Sequence, residues 1–323
     1  MRALRGGRFQ RETGLATRGQ FSHGIRAALA LTVSQTDFHR LAGWLRVAAR
    51  AGAGLAWTTA VAALLLASWT PTVLFRRSAA TRRAGARRLA KRIWGRGLLL
   101  AVGVRVRVEG RPPPGGTIVV SNHLGYIDIP VVNSVAPTVF VARADLRRWP
   151  YLGPLASLGG TIFVDRATKR AVLAVRRRML EALARRDRVL VFPEATSTSG
   201  ATILPFKSAL LADAAARGLP VHWMTLTYRA PGASAGDRVC WGSDVGFVAH
   251  LAGLLALRRI ECTLRFGHRP VLAGDRKELA RELRRRMMGA FDPVTRYPPQ
   301  DDARTGSRSA PPGRPRRRSS PHS

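Results

Sequence analysis

Cysteine is scarce in this 323-residue chain, which contains only Cys240 and Cys262. The two are far apart and lack the CxxC spacing of a metal site or a redox pair. Their scarcity excludes a disulfide framework and favours a reducing compartment. A serine hydrolase is a minor alternative, because the G-x-S-x-G pattern of a serine nucleophile elbow occurs once, at residues 232–236. We expect no metal site.

Acidic residues are few as well, because 19 Asp and Glu stand against 54 Lys and Arg, for a net charge of +35. Such a charge favours a polyanionic partner, either a nucleic acid or an anionic lipid surface. Nucleic-acid-binding proteins usually combine their charge with clustered stacking aromatics or a recognition helix. Here the arginines are spread along the chain. We expect no specific nucleic-acid partner, and a basic nucleic-acid-binding protein is kept as the lesser alternative.

One long segment carries no charge: residues 51–75 are AGAGLAWTTAVAALLLASWTPTVLF. As a helix it would be roughly 37 Å long, enough to cross a bilayer core of about 30 Å. Its Ala, Thr and Gly content, together with Pro71, leaves two possibilities open. The segment is either a tilted span or a helix lying deep in one leaflet.

A dense basic stretch, here called the basic collar, follows at residues 76–96 and holds nine Arg and Lys residues. Only Arg46 and Arg50 lie just before the uncharged run, so the positive-inside rule places the rest of the chain in the cytoplasm. Interleaved apolar residues fit an amphipathic helix on anionic headgroups. A simple stop-transfer flank is the alternative.

Downstream, short apolar runs alternate with helical stretches. Strand-like runs lie at 104–108, 117–121, 138–142, 161–165, 188–192, 221–228 and 260–266. Helical stretches are clearest at 168–186, 206–217 and 275–290. This alternation predicts an α/β fold with a mostly parallel central sheet flanked by helices, preceded by an N-terminal membrane-associated helical segment.

Composition divides the chain into four parts. Residues 1–40 lack hydrophobic periodicity and predict a disordered extension, and residues 41–100 predict a membrane anchor with a basic amphipathic helix. Residues 101–292 form the predicted α/β domain. Residues 293–323, rich in Pro, Arg and Ser, predict a disordered basic tail.

The first candidate site block is SNHLGYID, residues 121–128, directly after a predicted strand. His123 and Asp128 would be about 140° apart on an ideal helix, so they meet only if His123 lies in a turn and Asp128 in the first helical turn. Gly125 eases such a turn. A carboxylate on one imidazole nitrogen leaves the other free to take a proton from a hydroxyl. A structurally hydrogen-bonded histidine is the alternative.

Two further blocks follow strands. In GGTIFVDR, residues 159–166, glycines suit a close backbone approach and Arg166 suits a phosphate, unless it pairs with a neighbouring acid. In VFPEATS, residues 191–197, an acid beside a rigid proline turn suits the edge of an anion-facing pocket. A helix N-cap with Thr196 or Ser199 as acceptor is the alternative.

In this order and spacing, the three blocks resemble the glycerolipid acyltransferase family, specifically the bacterial lysophosphatidic-acid and lyso-ornithine-lipid acyltransferases. The resemblance covers about residues 85–290. The family pattern NHx4D is matched by Asn122, His123 and Asp128, and the pattern G-x-x-F-[IV]-x-R by Gly160, Phe163, Val164 and Arg166. The pattern F-P-E-G-T is matched by Phe192, Pro193, Glu194 and Thr196. A strand opened by proline is matched by Pro220 and Val221.

The resemblance implies that His123, oriented by Asp128, removes the proton of an acceptor hydroxyl, which attacks the thioester of acyl-CoA or acyl-carrier protein. It implies a direct transfer without a cofactor, a metal or a covalent enzyme intermediate. It also implies that substrate is bound by Asn122, Gly160, Phe163, Arg166, Glu194, Ala195, Thr196 and Lys207. The implied partners are membrane lipids and an anionic bilayer surface, at the cytoplasmic side of a bacterial inner membrane.

Two residues depart from the family pattern. Ala195 replaces a glycine, which is unfavourable if that position needs a positive φ. Ser197 replaces an arginine that many members carry, and this substitution favours lyso-ornithine lipid over lysophosphatidic acid as acceptor. Lys207 could supply replacement charge. A catalytically degenerate, lipid-binding member is the alternative.

Overall fold

The computed structural model describes residues 35–68, 76–165, 169–242 and 245–294. The chain divides into two units, Met1–Leu45 and Arg46–Ser323. The first helix, α1 at Gln35–Ala67, begins in the first unit and continues into the second. It begins inside the segment 1–40 that was predicted to be disordered. Residues 1–34 and 295–323 lie outside the described residues.

A seven-stranded sheet forms the centre of the second unit, in the order β1-β7-β6-β2-β5-β3-β4. Strands β6, β2, β5, β3 and β4 are parallel, β7 is antiparallel to β6, and β1 is parallel to β7. The predicted mostly parallel sheet is therefore confirmed. The strands are β1 Val104–Glu109, β2 Ile118–Ser121, β3 Thr138–Arg143, β4 Ile162–Val164, β5 Arg188–Val191, β6 Val221–Arg229 and β7 Ile260–Phe266.

Burial along the strands follows their place in the sheet. The central strand β2 is buried along its whole length, as expected where helices cover both faces. In β7, by contrast, every second residue from Ile260 to Phe266 is buried. This alternation is typical of a strand with one covered face.

Helices connect the strands and cover the sheet. They are α2 Arg76–Val102, α3 Asp128–Val135, α4 Leu152–Leu158, α5 Lys169–Ala184, α6 Ala212–Ala216, α7 Ala235–Arg238, α8 Phe247–Ala256 and α9 Arg276–Ala290. Short 3₁₀ turns lie at Ala144–Arg148 and Ala209–Leu211. The helix predicted at 206–217 is wrong in its first half, because residues 206–208 are not helical, a 3₁₀ turn follows at Ala209–Leu211, and α6 begins only at Ala212.

Two apolar clusters lie on opposite faces of the sheet. One face, the α2 face, packs Val47 of α1 and Leu99 of α2 with residues of α3 and α8. The other, the α9 face, packs α5, α6 and α9 through residues such as Met179 and Leu283. Alternate residues of β2 feed the two clusters, since Val119 joins the first and Val120 the second.

One helix in the described part of the chain, Leu41–Ala67, is long and apolar enough to cross a membrane. One side of it packs on α2, where the Trp57 Nε1–H donates to the Trp94 carbonyl at 3.2 Å. Elsewhere it leaves large apolar side chains exposed, among them Leu55, Leu64 and Leu66. This apolar helix is a candidate membrane segment. Residues 69–75 of the uncharged run lie outside the described residues.

The basic collar forms most of helix α2, but at least five of its cations bind groups of the fold. Arg87 and Arg88 pair with Asp187. The Lys91 side-chain amine donates to the Thr138 carbonyl at 2.6 Å, and Lys91 is buried. Arg92 and Arg96 donate to carbonyls at the end of α3. Much of the collar's charge therefore fastens α2 to the sheet, and the predicted contact of this amphipathic helix with anionic headgroups stays a prediction.

Candidate active site

The carboxyl end of β2 carries the first site block. Asn122 follows the last β2 residue, and its side-chain amide bonds to Leu226 of β6, accepting from the N–H at 2.8 Å and donating to the carbonyl at 2.9 Å. Only 1% of Asn122 is exposed. The amide thus continues the β2–β6 pairing by one residue and fixes the position from which His123 projects. Its predicted role in substrate binding stays a prediction.

His123 and Asp128 meet as the turn geometry predicted, because α3 begins at Asp128. The His123 Nδ1 lies 2.7 Å from the Asp128 Oδ2. The same oxygen accepts the backbone N–H groups of Leu124 at 2.8 Å and Gly125 at 3.1 Å. An ionised carboxylate only accepts hydrogen bonds. The arrangement therefore places the imidazole proton on Nδ1.

Tyr228, which sequence analysis did not identify, holds the other oxygen of the Asp128 carboxylate. Its hydroxyl donates to the Asp128 Oδ1 at 2.7 Å from strand β6. Tyr228 is fully buried, and burial, with the negative charge of Asp128, raises the pKa of its phenol well above the usual value. Tyr228 therefore remains a donor and helps to fix the carboxylate. The sequence places a tyrosine on this strand but does not show that β6 lies beside β2.

One edge of the His123 imidazole contacts a buried carboxylate, and the side chain is partly exposed to solvent. Its ring stacks on Phe192, with centroids 4.0 Å apart and an interplanar angle of 17°. The side chain is 24% exposed, whereas that of Asp128 is 0% exposed. With Nδ1 committed to Asp128, the Nε2 atom is free to take a proton from a substrate.

Glu194 ties the third block to the first through the backbone. Its Oε1 accepts the His123 N–H at 2.9 Å and its Oε2 accepts the Leu204 N–H at 2.8 Å. Burial raises the pKa of the Glu194 carboxyl, and these two bonds oppose that rise. The carboxylate therefore fixes the backbone at His123, and its predicted contact with substrate stays a prediction.

The rest of the third block forms an exposed turn beside this carboxylate. Ala195 has φ of 68°, a conformation that glycine adopts without penalty. Thr196 and Lys207 are exposed on the same loop. The Ser197 hydroxyl donates to the Trp241 carbonyl, and no helix begins at this turn, so the N-cap alternative is wrong.

The second block lies elsewhere in the sheet. Phe163 lies in the middle of β4 and Gly160 in the turn two residues before that strand, and β5 and β3 separate β4 from β2. Gly160 has φ of 77° and faces the Arg87 guanidinium, which a Cβ atom would meet at 3.1 Å. Arg166 lies outside the described residues. The substrate-binding roles of these three residues stay predictions.

These contacts define a class of site: a partly exposed histidine at the carboxyl edge of an α/β sheet, held by a buried aspartate. In the described part of the chain, no three His, Cys, Asp or Glu side chains lie close enough together to hold a metal ion. The expectation that the reaction needs no metal remains untested.

Comparisons with known proteins identify the class further. A family model described as Acyltransferase matches residues 103–228. A 1-acyl-sn-glycerol-3-phosphate acyltransferase of Neisseria meningitidis serogroup B is 33% identical over 175 residues, which are 53% of this chain and 68% of that one. A lyso-ornithine lipid O-acyltransferase of Pseudomonas aeruginosa is 33% identical over 192 residues, covering 59% of this chain and 74% of that one.

A solved structure shows the same fold. The crystal structure of the lysophosphatidic acid acyltransferase PlsC from Thermotoga maritima matches with a TM-score of 0.56 at 20% identity. The match covers 78% of this chain and 97% of that one. Together with the sequence relatives, these matches confirm the resemblance found in the motifs. The chain belongs to the acyltransferase family and is an acyltransferase enzyme.

Proposed function

We propose that the enzyme transfers a fatty acyl group from a thioester donor, acyl-CoA or acyl-carrier protein, to the hydroxyl of a lysolipid. The observation that carries this proposal is the 2.7 Å contact between the His123 Nδ1 and the buried Asp128. Relatives named as acyltransferases of 1-acylglycerol-3-phosphate and of lyso-ornithine lipid support a lysolipid acceptor.

The proposed reaction is a direct transfer. The Nε2 of His123 takes the proton of the acceptor hydroxyl while that oxygen attacks the thioester carbonyl. The carbon–sulfur bond then breaks, and the leaving thiolate recovers the proton from the imidazolium. The Asp128 carboxylate stabilises the positive charge on His123 between these steps. Neither a metal ion nor a covalent enzyme intermediate takes part.

The acceptor is proposed from the motifs. Arg166 would bind the anionic head of the lysolipid, with Lys207 and the exposed turn at Ala195 and Thr196 completing its site. Ser197, which stands where many relatives have arginine, favours lyso-ornithine lipid, and lysophosphatidic acid is the second candidate. The lysolipid is a bilayer component, so the apolar helix α1 would bring base and hydroxyl together.

The proposed location is the cytoplasmic side of a bacterial inner membrane. Bacterial relatives and the exposed apolar side of α1 support association with a membrane. The excess of arginine after the uncharged run supports the cytoplasmic orientation. The cations of the collar that do not bind the fold would lie near anionic headgroups.

The test is the substitution His123→Ala in purified membranes, with labelled acyl-CoA and acyl-carrier protein offered against a panel of lysolipids. Loss of the general base should lower the transfer rate by at least about 10³-fold. His268→Ala, which removes an exposed histidine after β7, is the matched control and should keep full activity. Retained transfer in His123→Ala would refute the mechanism. A wild-type protein that binds lysolipid but transfers nothing would identify a degenerate member.

A further inference from the structure

A groove of about 540 Å³ runs along helix α9 on the α9 face of the sheet. One wall is the segment that follows the third block, including Phe206, and the other wall is α9, ending near Met288. From Lys277 to Met288 the helix rises by roughly 16 Å. Its volume lies in the range of small-molecule sites, roughly 300–1,000 Å³.

Cations of α9 line the groove, and two of them are not used by the fold. Arg284 donates to the carbonyls of Ile203 and Leu204, and Arg285 pairs with Glu282. The side chains of Lys277 and Arg281 make no hydrogen bond or ion pair within the described ranges, and both residues are exposed.

One acid beside this pair, Asp275, is already occupied. The Asp275 carboxylate caps α9 by accepting the N–H groups of Lys277 and Glu278. Its pKa is lowered by the Glu278 bond and also by the charges of Lys277 and Arg281. Glu278 and Glu282 lie on the same helix, but Glu282 pairs with Arg285 and Arg286, and neither acid forms an ion pair with Lys277 or Arg281 in the described residues. Two cations without an ion-pair partner suit a ligand bearing phosphates.

The groove is connected to the reacting histidine through one loop. The Leu204 carbonyl accepts from the Arg284 side chain, and the Leu204 N–H donates to the Glu194 carboxylate. The same carboxylate accepts the His123 N–H. A ligand seated in the groove thus lies against the same loop that fixes His123. This places the groove beside the active site rather than at an unrelated surface.

The groove and the candidate membrane helix lie on opposite faces of the sheet. Val47 of α1 packs in the cluster of the α2 face, while Phe206 packs in that of the α9 face. A bilayer held at the α2 face leaves the α9 face in water. The occupant is therefore a water-soluble, phosphorylated molecule rather than a lipid headgroup.

We propose that this groove binds the phosphorylated nucleotide end of coenzyme A, so that acyl-CoA is the donor. Lys277 and Arg281 bind its phosphates, and the ring of Phe206 contacts the adenine. A concave site of this size fits a nucleotide, whereas docking of an acidic carrier protein needs about 800 Å² of surface on each partner. The inference rests on the proposed function, of which it names the donor.

The test compares the double variant Lys277→Ala/Arg281→Ala with the control Arg276→Ala, which removes an exposed arginine of the same helix outside the groove. We expect the KM for acyl-CoA to rise roughly tenfold in the double variant, as for the loss of charge-assisted hydrogen bonds. The kcat and the KM for lysolipid should not change. With the acyl thioester of pantetheine, which lacks the nucleotide, the variant and the wild type should be equal.

Other outcomes overturn the proposal. An unchanged KM for acyl-CoA, or an equal rise with the pantetheine thioester, shows that the groove does not bind the nucleotide. A loss of activity in the double variant that occurs only with the acyl-carrier-protein donor assigns the groove to a protein donor. A raised KM for the lysolipid alone assigns it to the acceptor's anionic head.

A binding measurement separates this proposal from the proposed function. Calorimetry with CoA and full-length His123→Ala protein in detergent micelles should give a Kd about tenfold weaker after Lys277→Ala/Arg281→Ala. If CoA binding weakens in this way while the wild type transfers no acyl group, the groove is a CoA site and the proposed acyl transfer is wrong. If the wild type transfers acyl groups from acyl-CoA but the double substitution leaves CoA binding unchanged, the groove is not the CoA site and the proposed acyl transfer is retained.

Discussion

Two buried aspartates, at opposite ends of the same parallel strands, have very different partners. Asp128 lies just past the carboxyl end of β2 with 0% of its side chain exposed, and Asp187 lies just before β5 with 3% exposed. Asp128 receives neutral donors and one imidazole. Asp187 instead pairs with Arg87, Arg88 and Arg185.

The comparison shows how a buried carboxylate suited to the proposed reaction differs from a structural one. At Asp187 the partners are cations that also hold α2 on the sheet, so the cluster is structural. At Asp128 one partner, His123, has a second ring nitrogen and 24% of its side chain exposed. Burial and hydrogen bonding alone do not distinguish the two clusters. The distinguishing feature is a partner with a free, accessible proton acceptor.

Asp128→Asn gives the largest expected effect. The amide keeps the shape of the carboxylate, and its oxygen can still accept from Leu124 and Gly125, but it lacks the negative charge that would stabilise a protonated His123 during transfer. We expect kcat to fall by about 10³- to 10⁴-fold, as in other His–Asp pairs, with Tm lowered only slightly. The measurement is single-turnover acyl transfer in membranes, with thermal unfolding as a check. A variant with more than a tenth of wild-type kcat would show that Asp128 is no more catalytic than Asp187.

Asp187→Asn should lower stability while leaving kcat almost unchanged, the reverse of the result expected for Asp128→Asn. Removing this charge leaves Arg87, Arg88 and Lys91 close together without their counterion. We expect the free energy of unfolding to fall by about 3 kcal/mol, at the lower end for a broken buried pair because Arg88 is 35% exposed. At a temperature where the variant is folded, kcat should stay within about twofold of wild type. Denaturant unfolding in micelles measures the free energy of unfolding, and the transfer assay measures kcat. A large loss of kcat in folded protein would contradict a purely structural role.

Lys91, beside Asp187, adds a pH dependence to the structural cluster. Burial, helped by the charge of Arg87, lowers the pKa of Lys91 to about 7. Between that pH and the ordinary value of 10.5, the unfolded chain keeps a proton that the folded chain has lost. Folding stability should therefore rise with pH in this window, by at most about 1.4 kcal/mol per pH unit.

The substitution Lys91→Met should remove this part of the rise. The measurement is the free energy of unfolding at pH 7 and pH 9 for wild type, Lys91→Met and the exposed control Lys277→Met. The control should follow the wild type. Equal pH dependence in all three proteins would show that Lys91 stays charged in the fold.

The sheet and its order of elements were largely predictable because short apolar runs between helices have few other solutions. The His123–Asp128 contact was predictable too, since one turn geometry allows it and α3 begins where that geometry requires. The helix at 206–217 was mispredicted in its first half because Phe206 and Leu210 pack against the apolar cluster of the α9 face from a non-helical segment and a 3₁₀ turn, and this packing is a tertiary property. Tyr228 was missed for a related reason. Its role depends on β6 lying beside β2, and strand order is a tertiary property.

The smallest effect concerns the turn that joins the third block to the site. Ala195 has φ of 68°, and an alanine there costs about 1 kcal/mol relative to glycine. Because Glu194, its neighbour, fixes the backbone at His123, this strain lies one residue from the active site. The structure near Asp187 has a comparable positive φ at Arg186, of 61°, but no contact with a reactive side chain.

Ala195→Gly should therefore raise the free energy of unfolding by about 1 kcal/mol. Ala201→Gly is the matched control, since Ala201 is exposed on the same loop and has no positive φ; it should lower stability by about 0.5 kcal/mol through the entropy of the unfolded chain. Thermal unfolding in micelles would measure both. If the two glycines had the same effect, the strain at Ala195 would be released by the loop itself. A higher kcat for Ala195→Gly, without a change in KM, would show that the strain displaces His123 from its best position.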